Sequence, residues 1–272
     1  ARCGARTMNQ DERCTWLIRQ LLREQRWEEQ IEIPDQFSQR QHLLRGLMNV
    51  RPPWPMDPKW LRIQDDYLQT ELNSSVISEA ATLPELEPGI SLWQGDITKI
   101  KADAIVNAAN NALLGCFIPN HGCIDNAIHS AAGIQLRLAC QTLRENQKMP
   151  EPVGQAEITP GFNLPALWVL HTVGPQVRGV LTSRHCEQLA ACYTACLQKA
   201  AACQLKTLVF CCISTGEYHF PSQTAAQIAI RTVRTFLRKN DEPLKVVFNV
   251  FRDHDAQLYR AGLGCAEEED NR

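Results

Sequence analysis

The hydrophobic positions of this chain follow one period over its first third and another over the remainder. Up to about residue 87 the spacing is helical. Trp16, Leu17, Leu21 and Leu22 share a face, as do Leu43, Leu44, Leu47 and Met48 within 36–48, and Leu61, Ile63, Tyr67 and Leu68 within 58–72. Arg51-Pro-Pro-Trp-Pro-Met-Asp-Pro58 separates the second helix from the third, because proline has no N–H to donate and its ring clashes with the preceding turn. Leu83-Pro-Glu-Leu-Glu-Pro-Gly89 reads as a linker or turn.

From residue 88 onward short apolar runs alternate with helical ones. Strands are expected at 90–94, 104–107, 167–172, 207–213 and 245–251, and helices at 124–141, 186–203 and 222–238. A run such as Leu208-Val-Phe-Cys-Cys-Ile213 has no polar position, which is the pattern of a strand covered on both faces. The expected fold class is therefore α/β, a sheet between two helical layers. In such folds ligands bind beyond the carboxyl ends of the strands. The polar motifs fall there: Gly95-Asp96-Ile97-Thr98, Asn107-Ala-Ala-Asn110 and Ser214-Thr215-Gly216-Glu217.

Composition narrows the function classes. With 272 residues, 44% hydrophobic and 21% charged, the chain can bury a sizeable core. A formal net charge of −2 supplies no bulk attraction to nucleic acid or to a membrane surface. No apolar run approaches the length of a membrane span, and Ala1-Arg-Cys-Gly-Ala-Arg6 lacks the apolar centre of a signal peptide. The 12 cysteines are scattered, several inside apolar segments (Cys140, Cys192, Cys196, Cys203, Cys211, Cys212). That usage fits reduced thiols in an intracellular, reducing compartment better than a disulfide framework.

One stretch carries distinctive chemistry: Cys116-Phe-Ile-Pro-Asn-His121-Gly-Cys123-Ile-Asp125-Asn-Ala-Ile-His129. Thiolate and imidazole are preferred zinc donors, and three protein ligands are usual where a catalytic site keeps an open position. The spacing is too tight for a zinc finger. Read alone, the same residues could be ordinary buried thiols.

Four ordered motifs resemble the macrodomain family. They are Gln94-Gly-Asp96-Ile-Thr98; Ala104-Ile-Val-Asn107-Ala-Ala-Asn110-Asn-Ala-Leu-Leu-Gly115; Ile124-Asp125-Asn-Ala-Ile-His129-Ser-Ala-Ala-Gly133; and Ile213-Ser-Thr-Gly216 with Tyr218-His-Phe-Pro221. Where hydrolytic macrodomains usually carry a glycine run, this chain has Cys116 to Cys123, which resembles the zinc-containing subfamily with its helical N-terminal extension. The resemblance implies a three-layer α/β/α macrodomain with a mixed sheet. It divides the chain into an extension at 1–87, the zinc-containing macrodomain at 88–266 and an acidic tail at 267–272. It implies one zinc ion per chain on Cys116, His121 and Cys123, and an enzyme that removes ADP-ribose from mono-ADP-ribosylated proteins, with Asp/Glu linkage expected. Its partners would be ADP-ribose and the modified protein, with no membrane and no nucleic-acid sequence recognition. The alternative is a non-catalytic ADP-ribose-binding module whose zinc is structural; a fourth ligand such as Cys140 or Cys212 would favour it.

The expected roles follow. Asp96, with Ile97, would meet the adenine amine, unless Asp96 only caps the turn with Thr98. Phe251 would stack on adenine, with Phe248 as the competing aromatic. Ser214, Thr215, Gly216, Glu217 and Tyr218, and the loop ending in Cys123 and Ile124, would hold the diphosphate by backbone N–H groups, with Glu217 pointing outward. Asn107, Asn110 and Asp125 are the candidate catalytic residues at the distal ribose. Either Asn could instead close a turn, and Asp125 could be a base, an acceptor behind the ligands or a helix cap. His129 is expected to pack under the loop, His171 to be a core histidine, and His219 is free to approach the substrate.

Overall fold

A computed structural model describes residues 7–264; the expected acidic tail at 267–272, with Cys3 and Cys265, lies outside the described residues. The three helices expected from periodicity are α1 (Gln10–Gln25), α2 (Phe37–Val50) and α3 (Pro58–Asn73). Asn9 opens α1 with a reciprocal cap, its Oδ1 accepting from the Glu12 N–H at 2.8 Å while the Glu12 carboxylate accepts from the Asn9 N–H at 2.9 Å. Pro58 begins α3, where its missing N–H costs nothing. Leu17, Ile18, Leu21, Leu44, Trp60 and Tyr67 close one apolar cluster, and Ile134 from the sheet domain completes it. Arg51 locks the proline segment: its guanidinium donates to both Glu24 carboxylate oxygens at 2.8 Å and to the Trp54 carbonyl at 2.8 Å.

Two short strands, β1 (Ser78–Glu79) and β4 (Ile100–Lys101), pair in parallel beside the main sheet. The main sheet consists of β2 (Glu85–Glu87), β3 (Ile90–Gln94), β5 (Ala104–Ala108), β6 (Ala156–Pro160), β7 (Trp168–Thr172), β8 (Thr207–Phe210) and β9 (Lys245–Val250), ordered β2-β3-β9-β8-β5-β7-β6. Its five inner strands are parallel and its two edges antiparallel, so the sheet is mixed. The helices are α4 (Ile124–Ala132), α5 (Gln135–Glu145), α6 (Ser183–Ala202), α7 (Ser222–Lys239) and α8 (Asp253–Gly264). They flank a core that contains Ile105, Val106, Leu170, Val209 and Val247, giving the α/β/α layering.

The structure corrects four expectations. The linker at 83–89 contains edge strand β2, which reverses into β3 at Gly89, where φ is +77°. The single helix expected over 124–141 is broken at Gly133, with φ +97° and ψ 171°, a region only glycine occupies readily. The break is a tertiary effect: Gln64 of α3 reaches in to accept from the Ile134 N–H at 2.9 Å, where a Cβ on Gly133 would come within 2.7 Å of the Gln64 amide nitrogen. The strand expected to reach Ile213 stops at Phe210, and the one expected to reach Phe251 stops at Val250. Beyond these ends lie the residues that form the site. Among the described residues no helix is long and apolar enough to cross a membrane, and the cysteines are free.

Candidate active site

The parallel strands deliver their carboxyl ends to one edge, where a cleft of about 700 Å³ opens. Its walls come from the segment after β5 (Asn110), the loop 116–123 and the start of α4 (Ile124, Asp125), the segment after β8 (Ser214 to His219), and the end of β9 (Asn249, Phe251, Arg252). Twelve of the expected site residues line it together: Asn110, Cys116, His121, Cys123, Ile124, Asp125, Ser214, Thr215, Gly216, Glu217, Tyr218 and Phe251.

Cys116, His121 and Cys123 bring their donor atoms within 4.8 Å of one another. Cys116 Sγ stands 3.7 Å from His121 Nδ1. A tetrahedral cation at about 2.3 Å from sulfur and about 2.0 Å from imidazole sets two such donors roughly 3.5 Å apart, so the cradle fits a zinc-sized ion of this preference. Burial pushes the Cys123 thiol up to about 11, with the neighbouring Cys116 thiol adding to the shift; a bound cation would reverse this by favouring thiolate. Cys123 also caps α4, its Sγ accepting from the Asn126 N–H at 3.4 Å. The capping role considered for Asp125 therefore belongs to Cys123.

Asp125 is buried at the cleft floor, and burial pushes its carboxyl up to about 6 against the opposing pull of Asn107 and Arg137. Asn107 Nδ2 donates to Asp125 Oδ1 at 2.8 Å and meets His171 Nδ1 at 3.1 Å. Asn107 is itself fully buried, one layer beneath the cleft, because strand alternation turns it inward. Expected at the ribose, it instead holds Asp125. Asn110 closes a turn as well as lining the cleft: its Oδ1 accepts from the Ala112 N–H at 3.0 Å and its Nδ2 donates to the Gly115 carbonyl at 3.2 Å, next to Cys116.

Asp96 and Ile97 do not line the cleft. Asp96 Oδ1 accepts from the Thr98 N–H at 2.9 Å and from its hydroxyl at 2.7 Å, and Ile97 is a core residue. The two aromatics differ in position: Phe248 is 1% exposed and packs on Tyr259, whereas Phe251 is 76% exposed in the cleft. Ser214 at φ +65° and His219 at φ +55° curl the second loop, and the Ser214 hydroxyl is buried with no hydrogen-bond partner among the described residues. Glu217, expected to point outward, is 69% exposed yet places its carboxylate 3.7 Å from His121 Nε2 across the cleft. Asn249 and Arg252 also line the cleft though no motif marks them; a cation directly after Phe251 at a strand end is the signal that points to Arg252.

A second cluster, His129, Cys140 and His171, also brings three donors within 4.8 Å, but it is fully buried. Burial pushes the Cys140 thiol up to about 12, and His171 Nε2 lies 2.8 Å from the Thr159 hydroxyl. These are the packed histidines expected from sequence, and Cys140 is no fourth ligand to the first group. Burial pushes His171 down to about 4 and His129 well below its usual range. The unfolded chain, with ordinary imidazoles, binds more protons between pH 6.5 and 4, so acidification through that window removes stability, by roughly 3 kcal/mol for His171. Asp125, present in both proteins compared, works in the opposite direction. His171→Gln keeps an acceptor for Asn107 and a donor for Thr159 without titrating. Its urea midpoint is expected to fall less than the wild type's between pH 7 and 4.5, and parallel curves would refute this account.

The family model described as "Macro domain" matches residues 106–229. A protein-ADP-ribose hydrolase of Treponema medium is 49% identical over 256 residues, covering 93% of this chain and 98% of that protein. One of Staphylococcus aureus (strain MRSA252) is 46% identical over 250 residues, covering 91% and 94%. Among solved structures, a Trypanosoma brucei macrodomain in complex with ADP-ribose superposes with a TM-score of 0.62 at 29% identity, covering 79% of this chain and 94% of that one. An alignment covering 93% of the chain takes in the helical extension along with the sheet domain. On the sheet, the cleft at its carboxyl edge and these relatives, the chain belongs to the Macro domain family.

Proposed function

We propose that this chain is a zinc-dependent hydrolase that removes ADP-ribose from mono-ADP-ribosylated proteins, acting on Asp- or Glu-linked modifications inside the cell. The carrying observation is the placement of Cys116, His121 and Cys123 in the cleft wall beside Asp125 and Asn110. Relatives named protein-ADP-ribose hydrolase over nearly the whole chain support the enzymatic reading. The alternative of a binding module with a structural zinc is weakened by the donor count, since the group numbers three among the described residues and opens on the cleft.

The chain's own groups divide the work along the cleft. Phe251, exposed on the far wall, offers an aromatic face to adenine, and Asp96, exposed just outside the cleft lining, is the acceptor proposed for its amine. The Ser214–Tyr218 segment and the start of α4 present backbone N–H groups to the diphosphate. The orphan Ser214 hydroxyl is a further donor at that wall. Arg252 adds a positive charge to the cleft. Asp125, held by Asn107 and nearly ionised at neutral pH, takes a proton from the attacking water, and Asn110 orients ribose hydroxyls. Zinc held by Cys116, His121 and Cys123 would supply Lewis acidity and a template for a ribose or water oxygen.

Metal removal tests the reading. Protein stripped with a chelator is expected to lose release of ADP-ribose from a Glu- or Asp-modified target and to regain it on addition of one equivalent of zinc. Stripped protein that works at the untreated rate would exclude zinc dependence.

A further inference from the structure

Loop 116–123 does not stand on the sheet domain alone; it leans on helix α2 of the N-terminal extension. Asn49, buried near the end of α2, accepts on its Oδ1 from the Asn120 N–H at 2.9 Å and donates from its Nδ2 to the Ser130 hydroxyl of α4 at 2.9 Å. The Asn120 side chain in turn donates to the His42 carbonyl of α2 at 3.1 Å. Arg45 donates to Asn126 Oδ1 at 2.9 Å, and Asn126 Nδ2 donates to the Ile118 carbonyl at 3.0 Å. Gly46 permits this approach, since a Cβ there would come within 2.8 Å of Asn120 Nδ2. A single guanidinium, Arg137, then ties the end of α2 to the first metal donor: it donates to the Asn49 and Arg51 carbonyls at 2.7 Å each and to the Cys116 carbonyl at 3.2 Å.

Asn120 is the point where these contacts matter most. It sits at φ +53°, a left-handed conformation that asparagine tolerates better than other non-glycine residues and that the bonds from α2 fix here, and it directly precedes His121. Both its backbone N–H and its side chain are held by α2. Release of Asn120 to an ordinary φ would swing the following residue away from Cys116 and Cys123. We infer that the helical extension is a working part of the metal site, with Asn49 a positioning residue that fixes His121 in register with the two cysteines through the Asn120 backbone. The extension thereby orders a donor loop that zinc would otherwise have to order itself. This inference rests on the reading that the triad holds zinc.

The test uses full-length protein, stripped of metal and titrated with zinc against a chromophoric chelator, so that no activity enters the readout. Asn49→Ala is expected to weaken zinc binding by about tenfold or more, the scale seen when groups that orient metal ligands are removed. Asn49→Asp retains an acceptor for the Asn120 N–H and is expected to bind zinc within a few-fold of wild type. Ser130→Ala removes that hydroxyl's bonds to Asn49 and to Asn126 Oδ1 (3.2 Å) but leaves the Asn49–Asn120 bond in place, and is expected to bind zinc within a few-fold of wild type. The zinc-free melting temperatures of Asn49→Ala and Ser130→Ala should match, which separates positioning from general loosening. Asn49→Ala protein that takes zinc as tightly as wild type overturns the inference, as does Asn49→Asp protein that is as weak as the alanine variant. Wild-type protein that takes up no zinc overturns the zinc reading itself and this inference with it.

Discussion

Cys123→Ala is expected to yield folded protein that retains no stoichiometric zinc and releases ADP-ribose on the order of 10³-fold more slowly than wild type. The size follows from the several kcal/mol that a bound cation contributes to transition-state charge stabilisation, at tenfold per 1.36 kcal/mol. Cys123 does two jobs, since its sulfur is both a candidate metal donor and the cap of α4. Loss of the cap alone costs about 1 kcal/mol of stability and does not slow the chemistry by three orders of magnitude. Cys123→Ser separates the two roles, because a hydroxyl oxygen still accepts from the Asn126 N–H but is a poor replacement for thiolate. Serine is therefore expected to recover the melting temperature and not the rate. ADP-ribose affinity, measured by calorimetry, should stay within a few-fold in both variants, because the start of α4 would meet the diphosphate through backbone N–H groups that either substitution keeps, and Phe251 and Ser214–Tyr218 lie on other walls. A serine variant that lacks zinc yet turns over at the wild-type rate would remove the metal from the mechanism.

Asp125→Asn is expected to lower kcat by about 10²- to 10⁴-fold, the usual contribution of a positioned base, with KM and zinc content little changed. The same substitution should raise stability at neutral pH. Burial holds the folded carboxyl at about 6 against its ordinary 3.8. The folded protein therefore carries a cost for the ionised form, at most roughly 3 kcal/mol, that the amide does not have. That cost is present above pH 6 and disappears as pH falls through 6 towards 4, so the two melting curves should converge in acid. A bound cation beside Asp125 would shrink the difference, which makes zinc-free protein the cleaner comparison. Rate and stability moving in opposite directions would identify Asp125 as a functional residue held at a structural cost. Wild-type turnover by Asp125→Asn would remove it from the chemistry.

Much of the site was legible because its chemistry is local in sequence. Cys116, His121 and Cys123 fall within eight residues, so their proximity needed only one loop to curl. The strand-end positions of Asn110 and Ser214–Tyr218 followed from apolar runs that stop at polar residues, a pattern the parallel sheet enforces. Phe248 and Phe251 could not be told apart by type. They separate by where β9 ends, at Val250, which leaves one ring in the core and the other in the cleft. The depth of Asn107 was hidden for a similar reason: a one-residue alternation along β5 sets it beneath Asp125. The break at Gly133 was invisible because its cause, Gln64, lies some seventy residues away on α3.

By itself, the sequence determined the helical extension, the alternating α/β layers, the strand-end motifs and the set of candidate metal donors. These depend on periodicity and short spacing, which the chain carries locally. Only the tertiary structure decided which carboxylate, asparagine and aromatic face the cleft. It also joined helix α2 to the donor loop, through Asn49 and Asn120, seventy-one positions apart. Contacts at that separation arise from how packed elements meet, and no local pattern of residues records them.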